Sequence, residues 1–161
     1  MENRLSRKAH QSELDQIYMM GFDVWAEGAC EDYLTACRSS PKYKRGTWYV
    51  LETENGHLIT SLIVYALAPD QFGIGSIATP KHLRRQGNAS QLISDVIRQI
   101  EQASPGATIF LYADIGPDFY ERFNFARLPP HAQRYGTTTC MVRGENTAKL
   151  FSDNIATPEY F

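Results

Sequence analysis

The chain has 161 residues, a formal net charge of −2, 43% apolar and 21% charged residues. That is the composition of an ordinary globular domain, long enough to bury a real core. The balance of charge argues against a general nucleic-acid binder, no apolar run approaches the ~20 residues that span a bilayer, and the charged start, Met1 to Lys8, is not expected to be a secretory leader.

In chain order, Arg4 to Ala9 reads as a first strand. Ser12 stands where an N-cap is expected, and Leu14, Ile17, Tyr18 and Phe22 recur at helical spacing. Gly21 weakens that pattern near its end. Trp25 to Ala29 is irregular. Glu31 to Ser39 is a second short helix, stopped by Ser39-Ser40-Pro41. Thr47 to Glu52 is a strand by its β-branched and aromatic content. Asn55-Gly56 marks a hairpin turn with positive φ, and Leu58 to Leu67 is the return strand.

After a Pro69-Asp70 turn, Gln71 to Ala78 is the next strand. Its Gly73 and Gly75 fall on one face, where missing side chains leave room for a close approach to the backbone or serve tight strand packing. Asn88 to Gln102 is an amphipathic helix with Leu92, Ile93, Val96, Ile97 and Ile100 as its stripe. Thr108 to Tyr112 is apolar throughout, so it is expected to be covered on both faces and parallel to a neighbour. Pro117 opens a short helix running to Phe123, and Asn124 stands where a left-handed residue closes it. Gln133 to Arg143 is a last strand region. The tail, Glu145 to Phe161, reads as a docking arm or a partner contact. The order predicts an α/β protein with a mixed sheet, in one domain spanning residues 1–161.

The stretch with chemical content is the turn Arg84-Arg85-Gln86-Gly87-Asn88-Ala89. It lies between a strand and a helix, so several backbone N–H groups converge at the positive end of the helix dipole. A phosphate or pyrophosphate suits such a place. Plain chain reversal, solvated arginines and a backbone angle served by Gly87 are the alternatives. No P-loop Gly-Lys-Ser/Thr and no correctly placed dinucleotide fingerprint accompanies the turn. Three cysteines, Cys30, Cys37 and Cys140, form no even framework and read as reduced thiols of a cytosolic protein. The four histidines show no metal-ligand spacing.

Arg84-x-x-Gly87-x-Ala89 resembles the Arg/Gln-x-x-Gly-x-Gly/Ala motif of the GCN5-related N-acetyltransferases, the GNAT superfamily. Ile77-Ala78-Thr79 resembles the end of that family's central strand, although Pro80 sits a little earlier than the usual proline. Phe119 to Phe125 resembles the family's Tyr-rich helix and closing Gly-Phe, with Asn124 in place of glycine. The match covers Thr47 to Phe125 well. It implies a GNAT-type mixed, mostly antiparallel central sheet flanked by helices, with a splayed parallel strand pair around a CoA site.

The resemblance also implies an N-acyltransferase that moves an acetyl group from acetyl-CoA to a primary amine of a small molecule, amino acid, peptide or protein. The backbone of Arg84, Arg85, Gln86, Gly87, Asn88, Ala89 and Ser90 would hold the CoA pyrophosphate. That of Ile77, Ala78 and Thr79 would pair with the pantetheine arm, with one N–H polarising the thioester carbonyl. Tyr120 would protonate the leaving thiolate, against a plainer role in the core with Phe119 and Phe123. Asp114 is either the base or a helix cap, and a water chain without a dedicated base is a further option. Trp25, Glu27, Glu31, Asp32, Tyr33 and Tyr43 would lie on the amine side or form a solvated face. No metal, nucleic-acid or membrane partner is expected, the location is expected to be cytoplasmic, and a homodimer is left open. The alternative from another class is a CoA-binding sensor or regulatory module without turnover.

Overall fold

The computed structural model describes residues 3–114, 116–144 and 156–161. Glu145 to Ile155, most of the tail read above as a docking arm or partner contact, lie outside the described residues. Backbone hydrogen bonds join β1 (Arg4–Lys8), β2 (Thr47–Thr53), β3 (Leu58–Ala68), β4 (Gln71–Ala78), β5 (Thr108–Ala113), β6 (Ala126–Arg127) and β7 (Thr139–Arg143) into one sheet. The strand order is β1-β2-β3-β4-β5-β7-β6. The helices are α1 (Leu14–Met20), α2 (Phe22–Trp25), α3 (Cys30–Arg38), α4 (Pro41–Arg45), α5 (Asn88–Ala103) and α6 (Pro117–Glu121). Among the described residues no helix is long and apolar enough to cross a membrane. The chain divides into two compact units, Met1–Tyr65 with Ser76–Gln99, and Ala66–Gly75 with Ile100–Phe161.

In the first unit β1 and β2 are antiparallel, as are β2 and β3. Trp48 to Leu51 are buried without alternation, as are Leu58 to Tyr65, so these strands are covered on both faces. Four residues of the α5 stripe lie in this unit and are buried: Leu92, Ile93, Val96 and Ile97. Each such side chain contributes about 1.5–3 kcal/mol over leaving it in water. The Asn55-Gly56 turn forms as predicted, with Gly56 at φ +79° and its N–H on the Thr53 carbonyl at 2.9 Å. Asn55 keeps negative φ, and a register shift between Leu51 and Glu52 absorbs the mismatch.

The early helices depart from the expectation. One helix from Ser12 through Phe22 becomes a 3-10 turn (Gln11–Glu13), then α1 and α2. Ser12 lies inside the turn. The cap is made by His10 and Glu13: the His10 N–H donates to Glu13 Oε1 at 2.7 Å, and the Glu13 N–H to the His10 carbonyl at 2.9 Å. The break falls at Gly21, where a Cβ would stand 2.0 Å from the Trp25 ring. The second helix, α3, ends at Arg38 before Ser39-Ser40-Pro41, as expected, and Ser40-Pro41 also opens α4, with Ser40 Oγ accepting the Tyr43 N–H at 3.2 Å and Pro41 in the first turn.

In the second unit β4 and β5 are parallel, as the apolar run predicts, in register from Gln71–Thr108 to Ile74–Leu111. β7 pairs antiparallel with both β5 and β6. Phe110, Leu128, Cys140 and Val142 form a core against which Leu67, Tyr112, Ala132 and Phe161 pack. Asn124 is left-handed at φ +62°, as predicted. The last strand starts only at Thr139. Gln133, expected to open it, uses its side chain instead, donating Nε2 to the Leu128 and Cys140 carbonyls at 3.0 Å each and accepting the Cys140 N–H at 2.8 Å.

Candidate functional site

The first unit carries the end of β4 and the turn that follows. β4 leaves its register with β5 after Ile74, and Ser76 adopts φ +47°, an unfavourable value for a side chain with a Cβ. Beyond it, Ala78 and Thr79 are held from β3. The fully buried Thr60 donates Oγ1 to the Ala78 carbonyl at 2.8 Å, and its hydroxyl meets Thr79 Oγ1 at 2.7 Å. Arg84 Nε donates to the Thr79 carbonyl at 2.7 Å.

The turn shows how its residues divide the work. Arg84 grips Asp23 of α2 through both terminal nitrogens at 2.8 Å each. That pair raises the Arg84 guanidinium and lowers the Asp23 carboxyl. Its side chain is therefore a staple within the fold. Asn88 is also consumed: Nδ2 donates to the Leu83 carbonyl at 3.0 Å, and Oδ1 accepts from the Arg4 guanidinium. These bonds pull the turn into shape from both sides. Arg85 and Gly87 lie at φ +62° and +80°, the alternation of handedness that turns successive N–H groups toward one point. The first intrahelical bond of α5 runs from the Gln91 N–H to the Gly87 carbonyl at 3.1 Å. The N–H groups of Asn88, Ala89 and Ser90 precede it, at the positive end of a 16-residue helix. Arg85, Gln86 and Gly87 are exposed.

The second unit carries Tyr120 and Asp114. Burial pushes the Tyr120 phenol up, and the Asp114 charge adds to it. Asp114 is exposed just past β5, and its Oδ2 accepts the Tyr160 hydroxyl at 2.8 Å. α6 begins after Gly116, which is left-handed at φ +62°. Gly73 makes room for the chain itself: a Cβ there would stand 2.6 Å from the Phe161 ring.

On the expected amine side, Trp25, Glu27, Glu31 and Asp32 are exposed, and Glu31 and Asp32 sit in the first turn of α3. Tyr33 donates its hydroxyl to the Tyr18 carbonyl at 3.0 Å, and Tyr43 stacks on Tyr18. Burial pushes the thiols of Cys37 and Cys140 up, the latter to about 11, so neither is an activated nucleophile. Among the described residues no three His, Cys, Asp or Glu side chains gather to hold a metal. Thr60, Asp23 and Tyr160 are absent from the expectations above. Only Thr60 left a signal, as a polar residue inside the apolar run Leu58 to Ala68.

No family model matches the sequence, and no curated protein matches it significantly. Solved structures do match the fold. The GNAT-family N-acetyltransferase YhbS of Escherichia coli, determined with CoA, superimposes with a TM-score of 0.68 at 16% identity, over 89% of this chain and 82% of that one. An N-acetyltransferase from Staphylococcus aureus Mu50 gives 0.61 at 17% identity, over 88% and 98%. A GNAT-family acetyltransferase from Brucella melitensis, in complex with acetyl-CoA, gives 0.59 at 18% identity, over 89% and 90%. With its mixed, mostly antiparallel seven-stranded sheet and the parallel β4–β5 pair, the chain has the fold of the GNAT acetyltransferases.

Proposed function

We propose that the chain is an N-acyltransferase that uses acetyl-CoA and acylates a primary amine, with residues 1–161 acting as one domain. The observation that carries this reading is the turn. On this fold, Arg85 and Gly87 at positive φ present backbone N–H groups at the start of α5, a cradle suited to a pyrophosphate. The residues from Arg84 to Ser90 hold the donor through their backbone, Arg84 and Asn88 shaping the turn with their side chains. The backbone of Ile77, Ala78 and Thr79 takes the pantetheine arm, and Thr60 keeps that strand end in place.

Acetyl-CoA supplies a thioester carbonyl that a neutral amine attacks. An N–H of the β4 end meets the oxygen as it gains negative charge. Tyr120 is the proton donor to the departing thiolate. Its raised pKa keeps the phenol protonated at neutral pH, the state a donor needs. The amine arrives as an ammonium, and Asp114, directly or through water, takes the proton it must lose. Free thiols at Cys30, Cys37 and Cys140 accord with a cytoplasmic location.

One observation favours a second reading, a module that binds CoA without turnover: Asp114 already accepts the Tyr160 hydroxyl. Thiol release from acetyl-CoA, measured against a panel of amines, amino acids and peptides, separates the two. Release with at least one acceptor supports the enzyme. CoA binding with no release from any acceptor overturns it in favour of the module.

A further inference from the structure

A cleft of about 630 Å³ opens in the first unit, and none of the residues given a role in holding the donor lines it. One wall is aromatic. Tyr18 and Tyr43 are stacked with centroids 5.7 Å apart, and Trp48 meets both edge-on at 5.9 and 5.2 Å. Trp48 is 8% exposed, and its buried indole N–H has no hydrogen-bond partner among the described residues. The rim is cationic. Lys8 and Lys44 line it and are exposed, and neither forms an ion pair among the described residues. Asp15 also lines the cleft but is spent on Arg38, which grips it through two nitrogens at 2.9 and 2.7 Å. Lys42 adds positive charge nearby, with Nζ 5.5 Å from the Tyr43 ring centroid. A cationic cleft on a chain with a net charge of −2 is a local concentration of charge, not a reflection of composition.

A site of this make-up selects by two features. Apolar ring surface favours a flat, unsaturated body. Two ammonium groups without carboxylate partners favour an anion, and Lys meets anions as a point charge. A cationic or neutral polar ligand gains nothing from that rim. We propose that this cleft binds a small aromatic carboxylate, its ring packed on the wall of Tyr18, Tyr43 and Trp48 and its carboxylate met by Lys8 and Lys44. This inference stands apart from the acyl-transfer reading.

Trp48 serves as the reporter. The chain has two tryptophans, and Trp25, the other one, is 43% exposed on α2. A Trp25→Phe protein therefore carries a single indole in the cleft wall. Titration of that full-length protein with benzoate and with phenylacetate should change Trp48 emission saturably, while benzylamine and acetate should leave it flat. Lys8→Glu and Lys44→Glu, each on the Trp25→Phe background, should weaken the benzoate response roughly tenfold or more. Both replace exposed side chains, and an unchanged thermal transition verifies their folding. A flat response to both aryl carboxylates, an equal response to benzylamine, or a dissociation constant untouched by both charge reversals would overturn the proposal. Thiol release from acetyl-CoA in the parent protein tests the acyl-transfer reading separately.

Discussion

Replacing Gly87 by glutamate tests the cradle most directly, because two effects of the change are separable. The backbone at Gly87 has φ +80°, and a Cβ there would meet nothing within 4 Å. Sterics with neighbours therefore contribute nothing, and the folding cost is that of a left-handed residue, about 1–2 kcal/mol. For a chain of this size that lowers the melting temperature by roughly 2–8 °C. The binding cost is electrostatic. A carboxylate about 5 Å from a pyrophosphate bearing about two charges adds roughly 1.6 kcal/mol of repulsion even at the dielectric constant of water. That is more than tenfold in affinity, and more where water is excluded.

Gly87→Ala carries the same strain without the charge, and asparagine tolerates the left-handed region better than either. Isothermal titration with CoA should rank Gly87→Asn and Gly87→Ala near the parent and Gly87→Glu more than tenfold weaker. The gap should narrow as salt screens the repulsion. CoA affinity in Gly87→Glu equal to the parent, or equally poor affinity in Gly87→Ala, would refute the assignment of the phosphate site to this turn.

Tyr120→Phe should lower kcat about 10²-fold with CoA affinity intact, the scale of a lost acid catalyst; unchanged turnover removes Tyr120 from the chemistry. The Arg7 guanidinium, 2.8 Å from Glu13, pulls the Glu13 carboxyl from its ordinary value near 4.5 down to about 2. A depressed folded value means stability fully present above pH 4.5 and lost as pH falls toward 2. Denaturant titrations across that window should show a shallower decline for Glu13→Gln than for the parent, and parallel declines count against the pairing. Gly73→Ala would push a Cβ within 2.6 Å of the Phe161 ring, so it should destabilise by about 1 kcal/mol. The cost should shrink in a Phe161→Ala background, and strictly additive effects would show that the ring and the glycine do not meet.

Much of the fold is legible locally. The α5 stripe, the Asn55-Gly56 turn and the left-handed Asn124 follow from periodicity and backbone freedom, which neighbouring residues determine. The early helices are less legible because their signals compete. Ser12 has the chemistry of a cap, yet Glu13 reaching back to His10 makes the closure. Ser40-Pro41 both ends one helix and starts the next. Gln133 looks like strand because nothing in its surroundings announces that its amide will close a loop onto Cys140.

By itself the sequence determined a turn suited to a phosphate, a following amphipathic helix and a tyrosine on a short second helix. Those are properties of residues within a few positions of one another. Only the tertiary structure decided what the side chains of that turn do. Arg84 is 61 residues from Asp23, and Asn88 is 84 from Arg4. No periodicity encodes such pairs, because they form only when sheet and helices bring distant segments together. The same holds for Tyr160 on Asp114, 46 residues apart, and for the cleft behind Trp48, whose cationic rim comes from β1 and α4.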